Sequence, residues 1–331
     1  MGLISKFKKS SWKGCRMALP EGEDPRVLEA AIKAKKLKLA DPFFVGNKKE
    51  IEKTAKKLKI SLKGFKIIDI SSEIPDKYVV AYRKVRKAPP KLAKQILSNP
   101  LFLASLMVKM GEADAMVAGA VSSSADVITA ATGIIGLRKG VSVPSSFFIM
   151  EIPNPKVGEN GLLLFADSSV NIELTPEQMA DVAITTAQSA KELMNWVPRA
   201  AMLSFSTKGS SIHPRVDKVV EATKIANKKA PKFYIDGEMQ GDSALVLSTA
   251  KKKIKGKLGP VAGRANILIF PDLDSGNISY KLTQCLGGAN AYGPILQGFQ
   301  KPVSDLSRGA KTEDILGSIA ILSTWAKRVK K

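Results

Sequence analysis

Short apolar runs alternate along the chain with longer stretches of helical periodicity. That alternation marks an α/β architecture with a largely parallel sheet. The runs predict strands at 43–45, 65–70, 115–118, 147–152, 162–166, 201–205, 232–235, 267–270 and 294–296. Between them, helix starts are legible. Asp24-Pro25 opens the first helix, and Thr175-Pro176-Glu177-Gln178 joins a capping box to a proline at the first helical position, predicting a helix to about Trp196. Turn-rich stretches at 139–144 and 152–161 interrupt the pattern, but no repeat or low-complexity linker marks a clean boundary.

The length of 331 residues corresponds to roughly two domains at about 150 residues each. Hydrophobic residues at 44% and charged residues at 25% are a globular balance, and no apolar run reaches the ~18–20 residues of a spanning helix. The two cysteines, Cys15 and Cys285, are too few for a disulfide scaffold or a Cys-based zinc site. They fit a reducing compartment and are expected to be buried or inert. The start, MGLISKFKKSSWKGC, has Lys6 where a myristoylation motif needs Ser or Thr and no apolar stretch for a signal peptide, so a cytoplasmic protein is expected. The only histidine, His213, precedes Pro214 and reads as a turn or cap residue. Chemistry without an imidazole is therefore expected.

The formal charge is +22, with lysine clusters at 33–38, 251–257 and 327–331. Such a field attracts polyanions, whether nucleic acid, anionic lipid or phosphorylated metabolites. No nucleic-acid-binding signature accompanies it, and with 6% aromatics there is little stacking surface. Solvated lysine faces are the plainer reading. Neither GxGxxG nor GxxxxGK[ST] is present, so any phosphate must be held by other loops and by arginines.

Three segments gather chemistry. In KPVSDLSRGAKTED, Ser307 and Arg308 precede Thr312, which is expected to cap a last helix beginning with Glu313 and Asp314. A hydroxyl, a guanidinium and a carboxylate at one helix N-terminus suit an anion, although an ordinary capped surface loop has the same spacing. In GAVSSSADV, Ser122, Ser123 and Ser124 follow a strand and enter a helix capped near Ser124, either a phosphate site beyond a strand end or a tight serine turn. Third, Asp236, Glu238, Asp242, Asp272 and Asp274 suit a hard metal, but strand-end loops and helix caps are the plainer account.

Ordered blocks through 17–326 carry a resemblance. They include ALPEGEDPRVLEAA, NPLFLASLMVKMGEADAMVAGAVSSSADV, LLLFADSSVN, DGEMQGDSALV, ANILIFPDLDSGNISYKL and KPVSDLSRGAKTEDI. The chain resembles the phosphate acetyl/butyryltransferase family. That resemblance implies a fold like the isocitrate and isopropylmalate dehydrogenases: two α/β domains, 1–143 with 296–331 and 144–295, an active site in the interdomain cleft, and a homodimer. It implies reversible acetyl transfer between CoA and phosphate, by direct thiolate attack in a ternary complex. CoA and acetyl-CoA are substrates, with no metal and no tightly bound cofactor.

The site residues follow from the same resemblance. Asp314 would be the base for the CoA thiol, Ser307 would stabilise charge at the carbonyl, and Arg308 would hold the phosphoryl group. Arg86 would be a second substrate arginine, with Ser122, Ser123, Ser124, Thr129 and Lys301 as substrate-binding residues. Thr129 stands where the family pattern has an arginine, Ser304 where asparagine is usual, and Ser168 where some relatives carry cysteine. Butyryl or propionyl transfer, or polyanion binding without catalysis, are the alternatives. A dehydrogenase is disfavoured, because no dinucleotide fingerprint is present.

Overall fold

A computed structural model describes residues 3–330. The chain forms two compact units, residues 1–137 with 299–331 and residues 138–298. In the first unit α1 (Leu3–Ser10), β1 (Arg16–Leu19), α2 (Pro25–Lys36), β2 (Asp41–Gly46), α3 (Lys48–Lys57) and β3 (Ile67–Asp69) lead into α4 (Asp76–Val85), α5 (Pro90–Leu97) and α6 (Pro100–Lys109). β4 (Ala115–Val117) and α7 (Ser124–Ala130) follow, and α7 runs on into a π-helical turn, Ala131–Ile135. The second unit holds β5 (Ser145–Glu151), β6 (Leu162–Ala166), α8 (Pro176–Ser189), β7 (Arg199–Leu203), α9 (Pro214–Lys229) and β8 (Tyr234–Met239). It continues with α10 (Gly241–Leu245), α11 (Leu247–Lys253), β9 (Ile267–Ile269), α12 (Leu273–Cys285) and β10 (Asn290–Gln297). The last elements, β11 (Val303–Ser304) and α13 (Thr312–Val329), belong to the first unit.

In the first unit the strand order is β3-β2-β1-β4-β11, all parallel. Asp24 caps α2 by accepting the Arg26 N–H, Pro25 occupies the first turn, and Val27, Leu28, Ala30, Ala31 and Ala34 form its buried face. α13 buries every residue from Ile315 to Ala326, more than an amphipathic surface helix needs. Its polar Ser323 is satisfied by donating to the Leu39 carbonyl at 2.6 Å and accepting the Trp12 N–H at 2.9 Å.

In the second unit the order is β10-β5-β6-β9-β7-β8, with β5 antiparallel to β10 and β6 and the remaining pairs parallel. Thr175 and Gln178 form the expected capping box of α8, and a π-helical turn carries that helix on to Met194. His213 is the N-cap of α9, its Nδ1 accepting the Arg215 N–H at 3.2 Å.

Some expectations are corrected. β1 and β11 are strands that the apolar pattern passed over. Thr312 is the first helical residue of α13 rather than its cap, and its hydroxyl donates to Glu29 at 3.1 Å. Cys15 is buried, and burial pushes its thiol up to about 12, but Cys285 is exposed at the end of α12. Among the described residues no helix is long and apolar enough to cross a membrane.

Candidate active site

In the first unit the strand order reverses between β1 and β4, because β2 and β3 extend one way from β1 while β4 and β11 extend the other. Ligands of open α/β sheets lie beyond the carboxyl ends of strands at such a point. The loops after β1, β4 and β11 meet there. Glu21, in the loop after β1, is 6% exposed and accepts the N–H groups of Ala120 at 2.7 Å, Val121 at 3.2 Å and Ser122 at 2.7 Å. Arg26 binds the loops to one another. It forks onto Asp24 and donates to the carbonyls of Ala120 at 2.9 Å, Arg308 at 2.7 Å and Ala310 at 2.9 Å.

The three serines divide by role. Ser123 caps α7 in a capping box with Asp126, its hydroxyl donating to that carboxylate at 2.7 Å. Ser124 donates its hydroxyl to the buried carboxylate of Asp305. Ser122 is the serine of the three whose hydroxyl makes no such bond among the described residues.

Ser307 and Arg308 lie on the connection from β11 into α13, Asp314 lies in the first turn of α13, and all three are exposed. The backbone of that connection is pinned. Arg26 holds two of its carbonyls, Ser307 Oγ accepts the Gly309 N–H at 3.3 Å, and Asp314 accepts the Lys311 N–H at 2.8 Å. Arg308 thus commits its carbonyl to the fold, while its guanidinium makes no hydrogen bond among the described residues.

Arg86 and Thr129 come together in a cavity of about 420 Å³, lined also by Tyr82, Phe102, Ile128 and Gly133. Arg86 follows α4 and donates Nε–H to the Gly133 carbonyl at 2.7 Å, inside the π-helical turn. π-Turns widen a helix locally and recur at functional sites. α7 joins the two groups, since at 1.5 Å per residue Thr129 lies about 7–8 Å along the axis from Ser124. Lys301 is not brought in. It precedes β11, at the opposite end of that strand from Ser307 and Arg308.

Sequence reasoning missed Glu21, Arg26 and Asp305 as parts of this site. Their signal was weak: Glu21 and Asp305 are charged residues just beyond short strands, Arg26 is in the first turn of α2, and only the tertiary contacts show what each holds. Gly119, before the serine loop, has φ +101, and a Cβ there would lie 2.1 Å from Asp305 Oδ1 and 2.7 Å from the Leu306 nitrogen.

The acidic cluster of the second unit is engaged structurally. Asp236 pairs with Lys208 at 2.5 Å and Asp242 with Lys253 at 2.7 Å. Glu238, buried, accepts the Gly209 N–H at 2.7 Å and the Ser206 hydroxyl at 3.0 Å. Asp272 caps α12; burial pushes its carboxyl up, but the N–H and hydroxyl of Ser275 with Lys218 and Arg215 hold it below the usual range. Among the described residues no three His, Cys, Asp or Glu side chains gather to hold a metal. Beyond β6, β7 and β9 a cavity of about 480 Å³ is lined by Phe165, Phe205 and Phe270, with Arg215, Lys218 and Asp272.

Known proteins are similar to this chain in sequence and fold. The chain is 39% identical to a phosphotransacetylase from Streptococcus pyogenes whose solved structure superposes with a TM-score of 0.91, covering 100% of both chains. It is 46% identical to a phosphate acetyltransferase of Thermoanaerobacterium thermosaccharolyticum over 98% of each chain. It is 43% identical to one of Acetivibrio thermocellus over 95% of each. Fold and sequence together define an α/β acyltransferase. The sequence model of the Phosphate acetyl/butaryl transferase family matches residues 3–323, and the chain belongs to that family.

Proposed function

We propose that this chain transfers an acetyl group reversibly between CoA and phosphate, acetyl-CoA and phosphate giving acetyl phosphate and CoA. The observation that carries the reading is the exposed set Ser307, Arg308 and Asp314 on a connection and first helical turn whose backbone is otherwise tied down. A free thiol has a pKa of ~8.5, so at neutral pH only a small fraction is thiolate and a positioned carboxylate aids attack. In the direction of thioester formation Asp314 takes the thiol proton and sulfur bonds to the carbonyl carbon. The carbon–oxygen bond to phosphate then breaks, and phosphate leaves with its electron pair. Ser307 donates to the carbonyl oxygen as charge develops, and Arg308 forks onto the departing phosphate. Arg86, Ser122, Ser124 and Thr129 hold the substrates, and holding both together removes a bimolecular encounter from the chemical step.

The test is thioester formation from acetyl phosphate and CoA by the purified protein, with propionyl and butyryl phosphate alongside. Acetyl turnover exceeding the longer acyl groups supports the reading. Turnover confined to a longer group moves the specificity, and no turnover with any of them overturns it.

Asp314→Asn keeps an oxygen to accept the Lys311 N–H, so the start of α13 survives. We expect kcat to fall about 100-fold with KM for acetyl phosphate nearly unchanged, because only proton transfer is removed. Unchanged kcat with altered KM would contradict this role.

The reading includes a cytoplasmic homodimer. The dimer is supported by exposed apolar side chains spaced four residues apart on the second unit: Ile278 at 55% and Leu282 at 51% exposure on α12, and Leu286 at 82% at its C-cap. Patches of large apolar side chains mark association surfaces. Leu282→Glu is expected to halve the molar mass measured by light scattering; a monomeric parent protein would remove the proposal.

A further inference from the structure

The proposed chemistry leaves one buried acid unused. Asp305 is 1% exposed and stands two residues before Ser307. The Ser124 hydroxyl donates to Oδ2, while Oδ1 is buried with no hydrogen-bond partner among the described residues. Gly119 packs so closely on Oδ1 that no side chain fits between. The contrast with Glu21 is informative, since that carboxylate accepts three backbone N–H groups in the same place.

The groups facing Asp305 come from three directions. Glu21 approaches from the loop after β1, Ser124 from α7, and the Leu306 N–H from its own loop. Arg26 spends its donors on Asp24 and on backbone carbonyls. A carboxylate so placed lacks the donors that would stabilise its charge.

We infer that Asp305 is a positioning residue that takes up a proton when a phosphoryl group binds beside Ser124 and Arg308, tying the affinity for phosphate to pH. The inference rests on the reading that these loops hold the phosphoryl group. A phosphate is a like charge, and like charge with burial favours the neutral acid. Burial already pushes this carboxyl up to about 6, Ser124 and the Leu306 N–H acting against it and Glu21 with it. Near pH 7 the empty site therefore holds Asp305 mostly ionised, and phosphate binding drives protonation. By linkage, phosphate affinity falls as pH rises through that range. Once protonated, Asp305 no longer needs the Ser124 proton, which becomes available to the phosphoryl oxygens.

The experiment is calorimetric titration of the whole protein with inorganic phosphate at pH 7, in buffers of different ionisation enthalpy, which counts protons taken up per phosphate bound. Asp305→Asn is neutral at every pH and serves as the reference, cancelling the ionisation of phosphate itself. The parent protein is expected to take up at least about half a proton more than Asp305→Asn does, and its phosphate Kd is expected to rise from pH 5.5 to 8 more steeply. Ser124→Ala removes a donor from the carboxylate, so its extra uptake is expected to persist to higher pH. Equal uptake by the parent protein and Asp305→Asn, with phosphate bound, overturns the proton linkage alone. Absence of phosphate binding by the parent protein overturns the phosphoryl site itself and the linkage with it.

Discussion

Arg308→Gln is expected to lower kcat/KM for acetyl phosphate by about 100-fold to 1,000-fold while leaving the melting temperature unchanged. The two halves of that expectation have separate causes. Arg308 supports the fold only through its backbone, whose carbonyl accepts from Arg26 at 2.7 Å, and glutamine keeps that carbonyl. The guanidinium is exposed and makes no hydrogen bond among the described residues. In the proposed reaction it meets charge that grows on the phosphate oxygens as the carbon–oxygen bond breaks. Removing one such donor typically costs about 2.7–4 kcal/mol of transition-state stabilisation. Glutamine offers one amide in place of a planar, charged fork. Steady-state kinetics with a thermal melt on the same preparation test both halves, and near-normal turnover would remove Arg308 from the phosphoryl site.

Gly119→Ala is expected to destabilise the first unit by about 4 kcal/mol and to abolish acetyl transfer. Two effects combine at this position. At φ +101 a side chain is strained whatever the space, at a cost of about 1–3 kcal/mol. The added methyl would also lie 2.1 Å from Asp305 Oδ1 and 2.7 Å from the Leu306 nitrogen, so the backbone of the loop carrying Ser307 must move. Gly111 separates the effects, because its φ is +75 but a Cβ there would have nothing within 4 Å among the described residues. Gly111→Ala is expected to lose only about 1 kcal/mol and to keep full activity. Denaturant unfolding of the two variants gives the comparison, and equal losses would show that backbone strain alone accounts for Gly119.

The features that were legible in the sequence are those set by neighbours along the chain. Asp24-Pro25 and Thr175 with Gln178 start helices as expected, since a cap is satisfied within three residues of itself. His213 is a cap for the same reason. β1 and β11 were not legible, because β1 opens on the charged Arg16 and β11 is two residues long, so neither stands out as an apolar run. They exist because parallel neighbours complete their hydrogen bonds. The motif around Ser307, Arg308 and Asp314 was readable as a string, but that its backbone is pinned while its side chains stay exposed was not.

By itself the sequence determined the alternation of strands and helices, the helix caps, the presence of a single histidine, and the blocks that carry membership of the family. The tertiary structure decided which polar groups are used up in holding the site together. Ser123 and Ser124 are adjacent and alike, but one caps its own helix and the other reaches Asp305, 181 residues on. Glu21 and Asp305 are both buried acids beyond strand ends, but one accepts three N–H groups from a loop about a hundred residues away and the other has a single hydroxyl with a backbone N–H. A charge buried in the fold is defined by the donors that surround it, and those donors come together only when distant segments pack.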